Sequence, residues 1–149
     1  MTFSVSCVQL RIYRKPCWAV RRRITTATLV RFLLMGWTRW RLLASGNEWY
    51  SDSFDYDGPT CYELGTGGPR GGRIQPHYVG ETSNERARMA QYASHGSHLS
   101  KIIDWHLREG WCLYYRGYKV GSKKEAVEMQ NRMLARYRYD WNEKLNLYD

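Results

Sequence analysis

The chain lacks acidic residues in its first third. Residues 1–47 contain nine arginines and lysines and no aspartate or glutamate, whereas the remaining 102 residues carry 14 basic and 14 acidic side chains. The net charge of +9 therefore comes entirely from the N-terminal third. A basic segment beside a neutral one is typical of proteins that bind polyanions such as nucleic acids. A segment that serves only solubility, or that has no fixed structure, is the alternative.

Cysteine pairs and long apolar runs are also missing. The four cysteines form no CxxC pair, which argues against a zinc ribbon. Two of them, Cys61 and Cys112, lie in strand-like runs and are expected to be buried thiols, which favours a reducing cytoplasm. The apolar run 24–37 is short and is interrupted by Arg31, so no membrane span is predicted.

Composition divides the chain into two parts. Residues 45–59 are polar and rich in turn formers, which is typical of a boundary before a compact domain. We therefore predict a basic N-terminal extension over 1–57, partly disordered, and a folded domain over 58–149. Met35 is an alternative start, because a coherent segment begins at Gly36.

The folded part reads as an α+β domain. Apolar runs and turn signals predict a small three-stranded antiparallel sheet flanked by helices, in the order strand, strand, helix, helix, strand, helix. The predicted strands are Thr60–Leu64, Ile74–Gly80 and Trp111–Tyr118. Capping boxes at Thr82 and Ser122, with Glu85 and Glu125 three residues later, predict helix starts.

Four basic side chains are candidates for contact with a nucleic-acid backbone. Residues 65–72 are glycine-rich, lack the GxxxxGK[ST] pattern, and predict a flexible hairpin loop that carries Arg70, with Arg73 just beyond it. Lys123 and Lys124 lie at a predicted helix start. There they are either solvated or in contact with phosphates.

Two short tyrosine-bearing segments carry the strongest signal. They are Thr60-Cys61-Tyr62 and Tyr78-Val79-Gly80, on the first two predicted strands; Arg88 follows on the first helix and Asn142 lies near the end of the chain. In this order the residues resemble the GIY-YIG nuclease superfamily, whose name records two such tripeptides. The resemblance covers about residues 58–146 and is greatest to small restriction-enzyme-like and phage members. A phage-encoded protein would act in the host cytoplasm.

The resemblance implies a DNA endonuclease that hydrolyses phosphodiester bonds with Mg²⁺ or Mn²⁺. In this family pattern Tyr62 or Tyr78 deprotonates or orients the attacking water, Arg88 contacts the phosphate, and Asn142 holds the site together. A free tyrosine has a pKa of about 10, so a base role requires a nearby cation. Cutting both strands would require a homodimer or two successive nicks.

The chain departs from the family at two positions. Gln130 stands where the family has a metal-binding glutamate, and Tyr92 stands where many members have histidine; His95 and His98 follow as substitutes. The glutamine leaves open a catalytically weakened or inactive DNA-binding module of the same fold. A protein-interaction domain that uses the many aromatic side chains is a third hypothesis.

Overall fold

The computed structural model describes residues 36–145. Most of the predicted basic extension, including residues 1–35 with Cys7, Cys17 and Met35, lies outside the described residues. Among the described residues, no helix combines the length and the apolar character that crossing a bilayer requires.

The centre of the fold is a five-stranded antiparallel sheet in the order β2-β1-β5-β3-β4. The strands are β1 (Arg41–Ser45), β2 (Glu48–Trp49), β3 (Thr60–Gly68), β4 (Gly71–Thr82) and β5 (Cys112–Lys119).

The predicted three-stranded sheet is therefore wrong, although the α+β class holds. The two additional strands, β1 and β2, come from residues 41–49, before the predicted folded domain. They are only five and two residues long and show no alternation of apolar and polar side chains. Their place in the sheet depends on the pairing of β1 with β5, a tertiary contact that local sequence does not encode.

The predicted flexible loop over 65–72 is also wrong. Strands β3 and β4 run on to Gly68 and Gly71, which leaves a two-residue turn at Pro69 and Arg70. A Cβ atom at Gly65 would lie 2.6 Å from the carbonyl oxygen of Gln75. This glycine therefore permits the close approach of two strands and does not supply flexibility.

Within residues 36–145, four α-helices cover the sheet. They are α1 (Glu85–Ala93), α2 (Ser100–Arg108), α3 (Lys123–Arg136) and α4 (Asp140–Leu145). Ser122 caps α3 as predicted, with its Oγ accepting a hydrogen bond from the Glu125 N–H at 3.2 Å. The predicted cap at Thr82 is wrong, because Asn84 caps α1 by accepting from the Ala87 N–H at 2.8 Å.

The two faces of the sheet bury different sets of side chains. Tyr62 and Leu64 lie on the face that packs on α1 and α2, in the main hydrophobic cluster with Met89 and Ile103. The opposite face packs under α3. There Cys61, Val79 and Tyr139 form a smaller cluster with Trp37, Tyr118, Met129 and Met133.

The buried carboxylate of Glu63 joins neighbouring elements on the face of the sheet that packs under α3. Glu63 is 1% exposed and accepts hydrogen bonds from the Arg116 Nε–H and the Tyr139 hydroxyl. The Arg116 guanidinium also lies over the ring of Trp40, 4.6 Å from its centroid. Burial and the bond to Glu63 raise the pKa of Tyr139, so this phenol stays a donor. The group thus ties β3, β5 and the chain before α4 together.

We expect Glu63→Gln to lower the free energy of unfolding by about 1–3 kcal/mol. The N–H₂ group of the glutamine would then face either the Arg116 Nε–H or the Tyr139 hydroxyl, both of which are donors. Urea denaturation measures the loss. Glu128→Gln, at an exposed carboxylate on α3, is the matched control and should leave stability unchanged within about 0.5 kcal/mol. Equal stabilities of the two variants would contradict the structural role of Glu63.

Candidate active site

The two tyrosine segments meet on adjacent strands because of one close contact. Tyr62 pairs with Gly80 across β3 and β4. A Cβ atom at Gly80 would lie 2.7 Å from the Cζ and Oη atoms of Tyr62 and from Cε1 of Tyr78. Only glycine at this position allows the Tyr62 phenol to cross the neighbouring strand.

Three tyrosines form a cluster on the face that packs on α1. The hydroxyls of Tyr62 and Tyr92 are 2.9 Å apart, and the ring centroids of Tyr62 and Tyr78 are 6.2 Å apart. Tyr62 and Tyr92 are 1% and 2% exposed, while Tyr78 is 8% exposed. Tyr78 is therefore the member of the cluster that is most open to a substrate.

Burial keeps these phenols protonated. It raises the pKa of Tyr62, Tyr78 and Tyr92, and the opposing effect of the Arg88 charge is smaller in each case. At neutral pH the three hydroxyls are therefore hydrogen-bond donors, and none is a tyrosinate base.

Arg88 is the cation of this cluster. Its Nη1 donates to Oε1 of Gln91 at 2.8 Å, and its side chain is partly exposed. Its charge opposes the rise in the pKa of all three tyrosines and adds to the lowering of the pKa of His98, so it lies near each of them. Arg88 and Tyr92 are one helical turn apart on α1, which puts both on the same face of the helix.

A histidine also reaches the cluster. The His98 ring lies edge-on to Tyr78, with centroids 5.9 Å apart. Burial, and then the Arg88 charge, lower the pKa of His98 below 6.5, so its imidazole is neutral at pH 7. The imidazole of the other candidate, His95, instead contacts the ring of Trp49 and lies 3.3 Å from Asp104.

Side chains from α3 and α4 form hydrogen bonds with the edge strand β4. Asn142 accepts from the Val79 N–H at 2.9 Å and donates to the Val79 carbonyl at 3.0 Å. Gln130 donates its amide N–H to the same carbonyl at 3.2 Å. His77 Nδ1 lies 2.9 Å from Asp140 Oδ1, so α4 contacts β4 at a second point. These bonds fix the backbone between Tyr78 and Gly80.

The four basic candidates lie outside this cluster. Arg70 and Arg73 are exposed near the far end of the hairpin, about 20 Å along β3 from Tyr62 at 3.3 Å per residue. Lys123 pairs with Glu81, and burial lowers the pKa of Lys123. Lys124 is exposed on the first turn of α3.

Comparison with known proteins identifies the family. A model of the GIY-YIG domain matches residues 55–148, which is more than half of the chain. The chain belongs to the GIY-YIG family. No curated protein and no solved structure matches it. Membership implies nuclease-type function in general.

The GIY-YIG nucleases are generally dependent on a divalent metal ion, and the described residues do not fit one. Gln130, which the sequence predicts at the family's glutamate position, offers a neutral amide oxygen, and its N–H₂ is bonded to the Val79 carbonyl. Among the described residues, no three or more His, Cys, Asp or Glu side chains are grouped so that they could hold a metal ion. A protein Mg²⁺ site usually contains at least one carboxylate.

We expect an NMR titration to give His98 a pKa below 6.5 and Arg88→Gln to raise that value, because removal of the nearby cation stabilises the imidazolium. Arg86→Gln on the same helix, where Arg86 pairs with Asp57 at 3.0 Å, is the control and should leave the value unchanged. An identical His98 pKa in the two variants would contradict the proximity of Arg88.

Proposed function

We propose that this GIY-YIG protein is an endonuclease that hydrolyses DNA phosphodiester bonds at the surface formed by Tyr78, Arg88 and His98. The observation that carries the proposal is the contact between the rings of Tyr78 and His98, whose centroids are 5.9 Å apart, beside Arg88, whose charge acts on the pKa of both groups. Attack on a phosphodiester requires a cation that binds the phosphate, a hydroxyl that donates a hydrogen bond, and a group that accepts a proton.

Each residue has a distinct proposed role. The Arg88 guanidinium binds the scissile phosphate and stabilises the charge that develops on it. The Tyr78 hydroxyl donates a hydrogen bond to a phosphate oxygen or to the attacking water. Neutral His98 accepts the proton of that water. Tyr62, which is too buried to reach a substrate, positions Tyr78.

Two further residues support the surface from behind. Tyr92 holds Tyr62 through their hydroxyls, which are 2.9 Å apart. Asn142 keeps the Val79 backbone in place, one residue from Tyr78. We assign no step to Mg²⁺ or Mn²⁺, because Gln130 replaces the charged ligand.

A DNA-binding module without cleavage activity is the second candidate function. Gln130 favours it, because the amide is engaged with backbone and carries no charge for a cation. The same fold and the same Arg88 would then bind phosphate without hydrolysis.

We expect Arg88→Ala to slow plasmid cleavage by a factor on the order of 10²–10³, the usual cost of removing one donor to a developing oxyanion. Agarose gel assays of supercoiled plasmid in Mg²⁺ or Mn²⁺ measure the rate. Arg86→Ala is the matched control, since it removes a guanidinium from the same helix outside the cluster. Equal rates for the two variants would refute the role of Arg88.

We expect Gln130→Glu to raise the rate of cleavage in Mg²⁺ by about tenfold or more, because a carboxylate supplies charge for a divalent ion. A tenfold gain corresponds to a fall of about 1.4 kcal/mol in the activation free energy. The fold should survive, because Asn142 still donates to the Val79 carbonyl.

The control for this variant is Asn131→Asp, which adds the same charge at the exposed neighbouring position. Cleavage by Gln130→Glu alone would favour the binding-module function for the natural chain. Cleavage by the natural chain with no gain in the variant would show that position 130 does not serve a metal ion.

A further inference from the structure

A cavity of about 650 Å³ opens on the face of the sheet opposite the tyrosine cluster, between α3 and β4. We call it the arginine groove, after the four arginines in its lining: Arg116, Arg132, Arg136 and Arg138. Neither the catalytic roles proposed above nor the predicted DNA contacts use any of them.

Three of the four arginines have charges that no described acidic side chain compensates. Arg116 is engaged with Glu63, the acidic residue of the lining, so these two charges cancel. Arg132, Arg136 and Arg138 are exposed, and none forms an ion pair with the side chains that the structure describes between residues 36 and 142. The groove therefore presents a net positive charge of about three.

This clustering opposes folding. Arg132 and Arg136 lie four residues apart on α3, where like charges destabilise the helix. The dipole of α3 favours Arg136 in its last turn but does not account for Arg138 beyond the helix end. A bound polyanion would relieve the repulsion among all three.

The groove also carries a ring suited to a nucleobase. Tyr137 is 49% exposed, and the Arg136 guanidinium lies 5.6 Å from its centroid. An exposed aromatic face beside guanidinium groups is the combination with which proteins bind a nucleic-acid strand without sequence preference. An acidic peptide would use the charge but would have no use for the ring.

The groove and the proposed cleavage surface share the edge strand β4. Gln75 and Pro76 of β4 line it, and Tyr78 follows Pro76 by two residues, about 7 Å along the strand. A DNA strand that lies on Tyr78 and passes over α4, which covers the edge of β4 at His77 and Val79, would therefore enter the groove.

We propose that the arginine groove binds the sugar–phosphate backbone of a DNA strand next to the scissile bond, on the face of the sheet opposite the cleavage surface. The position relative to the scissile bond rests on the function proposed above. The groove contributes affinity that does not depend on sequence, through phosphate contacts of Arg132, Arg136 and Arg138 and stacking on Tyr137.

The test compares Arg132→Gln/Arg138→Gln with a matched control, Lys101→Gln/Arg108→Gln. The control removes two exposed positive charges from α2, on the other face of the sheet. Thermal unfolding followed by circular dichroism checks that both variants fold. Fluorescence anisotropy with a labelled DNA oligonucleotide, at several salt concentrations, measures the dependence of affinity on salt.

We expect the groove variant to lose about 0.7–0.9 from the slope of log K against log salt for each phosphate contact removed. The control should keep the slope of the natural chain. Hydrolysis of bis(p-nitrophenyl) phosphate, which is too small to span both sites, should be the same in both variants. Equal slopes in the two variants would overturn the proposal.

Two more outcomes are informative. If the groove variant has a reduced salt dependence for labelled polyglutamate but the natural salt dependence for DNA, the groove binds an acidic protein partner. That result would also overturn the proposal. Failure of every variant to hydrolyse the small diester would count against the nuclease function alone, because the DNA slopes are measured without cleavage.

Discussion

The packing of the Tyr62 phenol across Gly80 is the constraint on which the candidate site depends. A side chain at Gly80 would collide with the phenol at 2.7 Å, so the register of β3 on β4 and the place of Tyr62 are set together. Once Tyr62 is buried there, Tyr92 of α1 meets its hydroxyl and brings Arg88 to the same surface. Tyr78 is left beside them, with its ring centroid 6.2 Å from that of Tyr62.

Local sequence predicted the middle of the fold and missed its edge. The strands predicted at Thr60–Leu64, Ile74–Gly80 and Trp111–Tyr118 all overlap observed strands. Their apolar runs are long enough to be recognised alone. Strands β1 and β2 cannot be recognised in this way. They form because β1 pairs with β5 and β2 pairs with β1, and their own residues show no strand pattern. The glycine-rich hairpin misled for a related reason, since glycine serves close strand contact as well as flexibility.

The candidate site was predictable as a set of residues but not as chemistry. Motif order pointed to Tyr62, Tyr78 and Arg88, and the fold brings these three together. The roles remain predictions, and burial changes them: phenols whose pKa is raised are donors, so the proposed base is His98. The bonds of Gln130 and Asn142 to one carbonyl lie beyond sequence reasoning, because they join residues more than 50 positions apart.

The central claim is that Tyr78, Arg88 and His98 form one phosphodiester-binding surface. The most direct measurement is an NMR titration of the labelled protein with a thymidine dinucleotide. The account predicts that the largest shifts fall on the Tyr78 ring, the Arg88 Nε–H and the His98 imidazole, and that Arg88→Gln abolishes them. Saturable shifts confined to other residues, or shifts that persist unchanged in Arg88→Gln, would contradict it.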